Sequence, residues 1–242
     1  MKISDTDTLV SQHRLDRFTA YYTRYDCDFF RELLRAPDRI MENSTSDGVF
    51  KSDGTTTVAR VMGDDLDLVI KRYNTRNRWH VLKRALRRTR AMRSWNMAHE
   101  LLSIGVATPR PAAVIEERLG PFRKRSYFVS EYVPGQPCLN HLSSTTAAGD
   151  SVRAHLVTLF ERMSRHRISH GDMKATNILV QDGRVVLVDL DSARRHLFPF
   201  TFAPALRRDH RRFLRNWGDN PSVAKRLEPL LKQIERSGSL EN

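Results

Sequence analysis

The chain contains 242 residues, of which 40% are hydrophobic, and this is enough for one large domain or for two lobes that share a cleft. Its 41 lysines and arginines against 28 aspartates and glutamates give a formal net charge of +13, which favours an anionic partner: nucleic acid, an anionic membrane surface or a phosphorylated substrate. An apolar run of membrane-spanning length and a recognisable nucleic-acid-binding module are both missing, so a spanning helix is excluded and nucleic acid is the weaker partner.

The N-terminal region and the cysteines bear on the compartment. No apolar stretch of signal-peptide type follows Met1, so we expect a cytoplasmic protein. Cys27 and Cys138 lie far apart without metal-ligand spacing and are expected to be reduced thiols. Residues 1–43 are predicted to be an extension without chemistry of its own, with one short helix that is capped by Asp28 and ends before Pro37.

Three strands are predicted in residues 49–73, because short β-branched and aliphatic runs alternate there with turn residues. The first turn contains a single glycine, Gly54, after Ser52 and Asp53. Lys71 ends the third aliphatic run. It is either an exposed lysine at a strand end or a lysine that contacts phosphate.

Residues 72–93 contain nine basic side chains and no acidic one. Trp79 and the aliphatic residues that follow it recur at roughly helical spacing. A basic amphipathic helix can lie on an anionic bilayer, where each basic side chain adds about 1 kcal/mol. A solvated charged face is the competing interpretation of this basic stretch.

A helix is predicted over residues 90–104, with Gly105 as its C-cap. A projection at about 100° per residue puts Glu100 opposite the apolar stripe and Ser94 nearer the buried edge. A conventional ion pair between Glu100 and a strand lysine is therefore not expected. The apolar stripe consists of Ala91, Trp95, Ala98 and Leu102.

Two further strands are predicted at residues 112–116 and 126–133, before Pro134 and Gly135 interrupt the pattern. Helices are then predicted over residues 145–167, 204–217 and 222–236.

A tight hairpin is predicted around Asp182-Gly183, which is flanked by two aliphatic runs. Pairing Gln181 with Arg184 brings Asn177 beside Asp189 at the open end of this hairpin. An amide oxygen and a carboxylate at that position suit a hard cation such as Mg²⁺.

The residues just before the hairpin complete a recognisable order. Asp172 stands five residues before Asn177, and Lys174 follows it two residues later. This order resembles the catalytic loop of the protein-kinase-like fold, in which H-R-D-x-x-x-x-N precedes a D-F-G aspartate. Gly171 stands in place of the arginine, and the D-F-G element reads Asp189-Leu190-Asp191.

Over residues 48–217 the chain resembles the bacterial lipopolysaccharide core kinases, the heptose and Kdo kinases of that superfamily. The stretches that carry the resemblance are Val69–Tyr73, the basic stretch, Gly105–Pro111, His170–Asn177 and Val188–Asp191. It implies an α+β, two-lobed protein-kinase-like fold with an antiparallel sheet plus helix in the N-lobe and a mainly helical C-lobe. The expected division is 1–43 for the extension, 44–133 for the N-lobe and 134–242 for the C-lobe.

The resemblance also implies a role for each candidate site residue. Asp172 would accept the proton of the acceptor hydroxyl or orient it, and Lys174 would neutralise charge on the γ-phosphoryl group. Asn177 and Asp189 would hold Mg²⁺, while the part played by Asp191 stays open. The remaining candidates would bind ATP: Lys71 at the α- and β-phosphates, Ser52, Asp53 and Gly54 over the phosphates, and the backbone of Glu131 and Val133 at the adenine edge.

The family phosphorylates an inner-core sugar hydroxyl, of heptose or Kdo, at the cytoplasmic face of the inner membrane with ATP and Mg²⁺. The expected partners are therefore a lipopolysaccharide core glycolipid and, peripherally, the anionic membrane surface. A kinase of another small molecule and a membrane-associated pseudokinase scaffold that binds nucleotide are the alternatives. A protein substrate is disfavoured, because an A-P-E element is missing.

Overall fold

The structure is a computed structural model that describes residues 11–15, 18–22, 25, 27–43, 49–74, 88–119, 122–142, 147–218 and 221–240. Contacts divide the chain into two units. The first unit comprises Met1–His99 and Arg110–Tyr132, and the second comprises Glu100–Pro109 and Val133–Asn242. Within the described residues, no helix combines the length and the hydropathy that a membrane crossing needs.

The first unit is built on an antiparallel sheet of seven strands in the order β1-β2-β6-β7-β5-β4-β3. Its strands are β1 (Ser11–Leu15), β2 (Phe18–Tyr22), β3 (Val49–Asp53), β4 (Thr56–Gly63), β5 (Leu66–Tyr73), β6 (Pro111–Leu119) and β7 (Phe122–Glu131). The three strands predicted in residues 49–73 and the two predicted after residue 111 are confirmed as β3 to β7.

Side-chain alternation along the strands gives the sheet two buried faces. Leu68 and Ile70 of β5 point into a core that also contains residues of helices α1 (Asp28–Arg35) and α2 (Pro37–Glu42). Tyr73 belongs to a second cluster with residues of helix α3 (Arg90–Ser103). Lys71 alternates with Ile70 and shares the strand face of Tyr73.

The N-terminal part of the first unit differs from expectation. The sequence predicts one helix before residue 44, but β1 and β2 extend the sheet there through pairing of β2 with β6. Asp28 is also not the cap of α1, because Cys27 occupies that position and makes no side-chain cap bond. Instead the Asp64 carboxylate, in the turn between β4 and β5, accepts the Phe29 N–H at 2.8 Å.

The second unit is mainly helical. Its longer helices are α5 (Ala147–Arg165), α6 (Pro199–Leu214) and α7 (Pro221–Leu240), and a short helix α4 (Leu139–Leu142) precedes them. The sequence places the start of the helix now labelled α6 at residue 204, but it begins at Pro199, which suits the first turn because its nitrogen has no hydrogen to leave unpaired. Edge-to-face contacts join Phe160 of α5 to Phe213 of α6, with ring centroids 5.2 Å apart.

Short strands complete the second unit. Strands β8 (Gln136–Pro137), β10 (Ile178–Gln181) and β11 (Arg184–Leu187) form one sheet, while β9 (Ile168–Ser169) and β12 (Arg194–Arg195) form another. The predicted hairpin is confirmed, because Gln181 pairs with Arg184. Asp182 and Gly183 have φ of 49° and 74°, which is the left-handed geometry that a two-residue hairpin turn needs.

Both cysteines are free thiols, as expected. Cys138 is fully buried, its thiol lies 3.3 Å from the carbonyl oxygen of Ala175, and burial raises the pKa of Cys138 to about 12. It is therefore a packing residue beside the loop that precedes β10.

Candidate active site

The loop between β9 and β10 carries the predicted catalytic residues, and the Asp209 carboxylate of α6 anchors its start. Asp209 accepts the backbone N–H of His170 at 2.6 Å and that of Gly171 at 2.9 Å. Only 2% of Asp209 is exposed, and burial raises the pKa of its carboxyl group against the lowering effect of these two bonds. The helix therefore fixes the backbone immediately before Asp172.

His170 supports the same loop from inside. Its Nδ1 accepts the Asp172 N–H at 3.3 Å, so its Nε2 carries the hydrogen that is donated to the Val188 carbonyl 3.0 Å away. The imidazole is fully buried. His170 thus connects the catalytic loop to the end of β11 and is not placed to act as a base.

The Asp172 carboxylate lies between two cations. Lys174 Nζ is 3.2 Å from Oδ2, and the Arg212 guanidinium of α6 forms an ion pair with Oδ1. The Asp172 side chain is 28% exposed, so it remains open to a ligand. Its two oxygens are therefore held in a fixed orientation by charges from two different elements.

Asn177 connects the loop to the hairpin. Its amide nitrogen donates to the Asp172 carbonyl at 2.9 Å, which leaves the amide oxygen as an acceptor, and its backbone carbonyl accepts the Val188 N–H at 2.9 Å. The predicted register is therefore confirmed. Asp189 follows directly, with φ and ψ both 61° and an exposed side chain. These two residues offer an amide and a carboxylate oxygen, the donors that a hard cation prefers.

Among the described residues, no cluster of three or more His, Cys, Asp or Glu side chains could hold a metal ion. A cation at this site would therefore need oxygen donors from its ligand or from water in addition to Asn177 and Asp189.

The other predicted site residues lie in or next to the first unit. Lys71 pairs in the sheet with Val58 and Phe128, and its Nζ lies 5.5 Å from the centre of the Tyr73 ring. The backbone of Ser52 and Asp53 belongs to the end of β3, and the exposed Gly54 forms the turn into β4.

The segment that is predicted to bind adenine, residues 131–133, forms hydrogen bonds with other groups of the protein. The N–H groups of Glu131 and Tyr132 donate to the carbonyls of Arg110 and Asp67, both at 2.9 Å. The carboxylate of Glu131 accepts the Tyr25 hydroxyl at 2.8 Å, and burial, with this bond, raises the pKa of Tyr25. The Val133 carbonyl accepts the Gly135 N–H at 2.9 Å.

The contacts of Glu100 and Ser94 agree with the positions predicted for them on the helix, now labelled α3. Glu100 accepts a bond from Arg195 Nη1 at 3.3 Å within the second unit. Ser94 is only 1% exposed and lies 3.3 Å from the Tyr73 hydroxyl, so it does occupy the buried edge of α3.

Most of the basic stretch, residues 75–87, lies outside the described residues. Arg72 and Arg90 at its two ends have partners within the first unit. Arg72 forms an ion pair with Asp38 at 3.0 Å, and the Arg90 guanidinium lies 4.8 Å from the centre of the Tyr73 ring.

Sequence reasoning missed two residues of this site, Asp209 and Arg212. Both lie on α6, about 40 positions after the loop that they contact. One signal was available, because Asp209 is the single acidic residue between Asp191 and Asp219 in a stretch rich in arginine. An isolated acid among so many bases indicates a specific buried partner.

Comparisons with known proteins bear on the family and the fold. Residues 43–227 match the family model described as the lipopolysaccharide kinase (Kdo/WaaP) family. No curated protein matches the chain. Among solved structures, WaaP in complex with acyl carrier protein is 19% identical with a TM-score of 0.47, and the match covers 87% of this chain and 95% of that one.

A second solved structure resembles the chain, the amicoumacin kinase hAmiN in complex with AMP-PNP, Ca²⁺ and Ami. It is 11% identical with a TM-score of 0.51, and the match covers 90% of this chain and 79% of that one. This likeness confirms the α+β, kinase-like fold. Because the family model spans most of its length, the chain belongs to the lipopolysaccharide kinase (Kdo/WaaP) family, and it is a phosphotransferase that acts on hydroxyl groups.

Proposed function

We propose that this protein transfers the γ-phosphoryl group of ATP to a sugar hydroxyl, of heptose or Kdo, in the inner core of lipopolysaccharide. The observation that carries the proposal is the Asp172 carboxylate, which Lys174 and Arg212 hold from two sides within a loop that continues to Asn177. Phosphoryl transfer depends mainly on positioning and on stabilisation of charge, and this set of side chains provides both.

The acceptor hydroxyl would bind at Asp172. Asp172 orients the hydroxyl or takes its proton, the sugar oxygen forms a bond to the γ-phosphorus, and the bond from that phosphorus to the β,γ-bridging oxygen breaks. Lys174, 3.2 Å from Asp172, neutralises charge on the transferred group. Arg212 acts through Asp172 as a positioning residue, because it contacts the carboxylate and belongs to a different element.

Residues of the first unit and the segment after it would bind the nucleotide. Lys71 contacts the α- and β-phosphates, and the turn formed by Ser52, Asp53 and Gly54 lies over the phosphates with its backbone N–H groups. At the adenine edge the N–H groups of Glu131 and Tyr132 are already bonded, so the Val133 N–H is the donor we assign to the purine, beside the carbonyl of Glu131.

Asn177 and Asp189 would hold the Mg²⁺ ion that accompanies ATP. The residues fit the ion because the Asn177 amide nitrogen is engaged and its oxygen is left for a ligand. A bound Mg²⁺ ion supplies positive charge at the phosphates. Asp189 has left-handed backbone angles just after β11, so the chain leaves the direction of the strand at this residue.

The substrate class follows from family and charge. A net charge of +13 suits a phosphorylated, anionic glycolipid and disfavours a cationic acceptor of the aminoglycoside type. We place the protein at the cytoplasmic face of the inner membrane, with the basic stretch, Arg72–Arg93, as one peripheral contact.

The test is phosphate transfer to defined core oligosaccharides. Purified protein is incubated with ATP, Mg²⁺ and deacylated cores that lack phosphate on heptose or on Kdo, and mass spectrometry locates any added phosphate. Transfer to one sugar names the acceptor. Transfer to neither core, with ATP still bound, would overturn the proposed acceptor and leave the kinase of another small molecule and the scaffold as the alternatives.

A variant pair tests the site itself. Asp172→Asn keeps the shape of the side chain and should lower turnover at least a hundredfold with little change in ATP affinity. Asp182→Asn makes the same chemical change at the exposed hairpin turn and should leave turnover unchanged. Equal turnover in both variants would remove Asp172 from the mechanism.

A further inference from the structure

Three large apolar side chains are exposed together just before and at the start of α6. Leu197, Phe198 and Phe200 are 79%, 56% and 72% exposed, and the two phenylalanine rings stack with centroids 5.3 Å apart. We call these three residues the aromatic tip. Clustered exposure of this kind marks a surface that meets an apolar partner, unlike single exposed apolar residues.

Hydrogen bonds to backbone carbonyls hold the aromatic tip outward. Arg167 donates to the Leu197 carbonyl at 3.3 Å, and the N–H groups of Thr201 and Phe202 donate to the Phe198 carbonyl at 3.2 Å. Phe202 points inward and is 2% exposed. The exposure of Phe198 and Phe200 is therefore built into the entry of the helix.

The same side of α6 carries a row of arginines. At about 100° per residue, Arg207, Arg208 and Arg211 lie within about 80° of Phe200 around the helix. All three are exposed, and none forms an ion pair with a described acidic side chain. We call these three residues the arginine face.

The opposite side of α6 holds the catalytic loop. Asp209, the only acidic residue of the helix, is buried there against His170 and Gly171, and Arg212 reaches Asp172. One helix thus separates the exposed surface from the catalytic loop by about 10 Å, the diameter of a helix with its side chains.

We propose that the aromatic tip and the arginine face form a docking surface for an anionic lipid bilayer. Rings that enter the interface beside guanidinium groups that meet lipid phosphates are the arrangement by which helices bind such surfaces. Charge complementarity selects the occupant, because no acidic side chain of α6 is exposed to weaken attraction to anionic headgroups.

The docking surface would serve the proposed function, and this part of the inference rests on that function. Docking through α6 would bring Asp172 close to the headgroup region, where the sugars of an embedded glycolipid lie. It is a contact additional to the basic stretch, Arg72–Arg93, and it lies on the element that anchors the catalytic loop.

Vesicle sedimentation tests the docking. The full chain is mixed with vesicles of phosphatidylglycerol and phosphatidylethanolamine, or of phosphatidylcholine alone. We expect binding to the anionic vesicles only. The double variant F198S/F200S and the triple variant R207Q/R208Q/R211Q should each bind at least tenfold more weakly, and R207Q/R208Q/R211Q should also show a smaller loss of binding with added salt than F198S/F200S.

A matched variant controls for total charge. K225Q/K232Q/R236Q removes three positive charges from α7 and should retain wild-type vesicle binding. Loss of binding in all three variants alike would make the attraction a property of net charge and overturn the assignment to α6. Wild-type vesicle affinity in both F198S/F200S and R207Q/R208Q/R211Q would overturn it equally. Binding of the chain to an immobilised acidic protein, without binding to vesicles, would do the same.

Activity separates this proposal from the proposed function. With a deacylated, water-soluble core as acceptor, F198S/F200S should turn over as the wild type does, which also shows that it folds. With the acceptor embedded in anionic vesicles its turnover should fall at least tenfold. Equal turnover on vesicles would overturn the docking surface, whereas a wild type without transfer to either acceptor would overturn the proposed function instead.

Discussion

Gly171 shows at the scale of one residue why the catalytic loop has the sequence His-Gly-Asp. Its φ is +80°, and a Cβ atom there would lie 2.8 Å from the Ser192 carbonyl oxygen and 2.9 Å from the Ser192 Cβ. Any side chain would therefore meet both strain and a contact with the segment after Asp189. The glycine allows the turn after β11 to pack directly on the catalytic loop.

Gly171→Ala should therefore displace the catalytic loop. We expect a loss of about 1 kcal/mol from the positive φ and a further loss from the close contact, with turnover reduced more than tenfold. Gly183→Ala is the matched control, since Gly183 has φ of +74° and nothing within 4 Å of its added Cβ. Turnover and urea denaturation measure both variants, and identical losses would show that the contact with Ser192 is unimportant.

Arg212 is the residue whose role depends most on tertiary structure. Arg212→Met removes the ion pair with Asp172, and a charge-assisted bond of about 1.5–3 kcal/mol corresponds to a 10- to 100-fold lower kcat. The KM for ATP should change little, and Arg212→Lys should restore part of the rate. Arg208→Met, at an exposed position of the same helix, is the control with a soluble acceptor. A larger change in KM than in kcat would contradict a positioning role.

These residues show what sequence reasoning reaches at this scale. Asp172, Lys174 and Asn177 could be proposed because their order and spacing fall within one loop, and their relations follow from local geometry. Asp209 and Arg212 could not be assigned, because their contacts depend on how α6 is rotated against a loop about 40 residues away. Hydrophobic spacing predicts that a helix exists but not which polar side chain meets which partner.

At the scale of elements, the Asp38 carboxylate of α2 connects this helix to two strands of the sheet. Asp38 forms ion pairs with Arg72 of β5 at 3.0 Å and with Arg125 of β7 at 2.5 Å, and all three side chains are at least two-thirds buried. Arg125 also binds the buried Glu117 of β6 at 2.8 Å. Helix α2 has six residues and is too short to be stable alone. These ion pairs attach it to β5 and β7 and, through Arg125, to β6.

Asp38→Ala should therefore lower the free energy of unfolding by about 1–3 kcal/mol, because two partly buried guanidinium groups lose a partner. Asp28→Ala removes an aspartate whose ion pair with Arg31 is almost fully solvated, with 94% of the Asp28 side chain exposed, and should cost less than about 1 kcal/mol. Urea denaturation compares the two. A cost for Asp38→Ala no larger than that for Asp28→Ala would show that the network adds no stability.

Elements differ in how far their sequence determines them. The β10–β11 hairpin was predictable in register, because Asp182-Gly183 specifies a two-residue turn and the turn specifies every pair that follows. Strands β1 and β2 were not, because they carry no turn signal of that kind, and β2, which pairs with β1, joins the sheet through β6 nearly a hundred residues later. Their pairing is decided by the partner strand rather than by local sequence.

At the scale of the whole molecule, three partly or fully buried histidines couple folding to pH. Burial lowers the pKa of His99, His196 and His210 below the ordinary value. The neutral ring of His210 donates Nδ1–H to Glu235 at 2.8 Å and packs edge-on against Phe160. The unfolded chain therefore binds more protons than the folded chain once the pH falls below about 6.5.

The free energy of unfolding should consequently be highest above about pH 6.5 and decrease below it, by up to about 1.4 kcal/mol per pH unit for each histidine that stays neutral when folded. Asp209 has the opposite effect on the free energy of unfolding. Because burial raises its pKa, the folded chain protonates this carboxyl group as the pH falls, and a buried charge is neutralised. His210→Gln keeps a donor toward Glu235 but cannot be protonated, so its stability should depend less steeply on pH between 7.5 and 5.5. Urea denaturation at both pH values measures this, with the exposed His155→Gln as the control that retains the wild-type slope. A wild-type slope in His210→Gln would assign the pH dependence to other groups, since the titration of His210 would then contribute nothing.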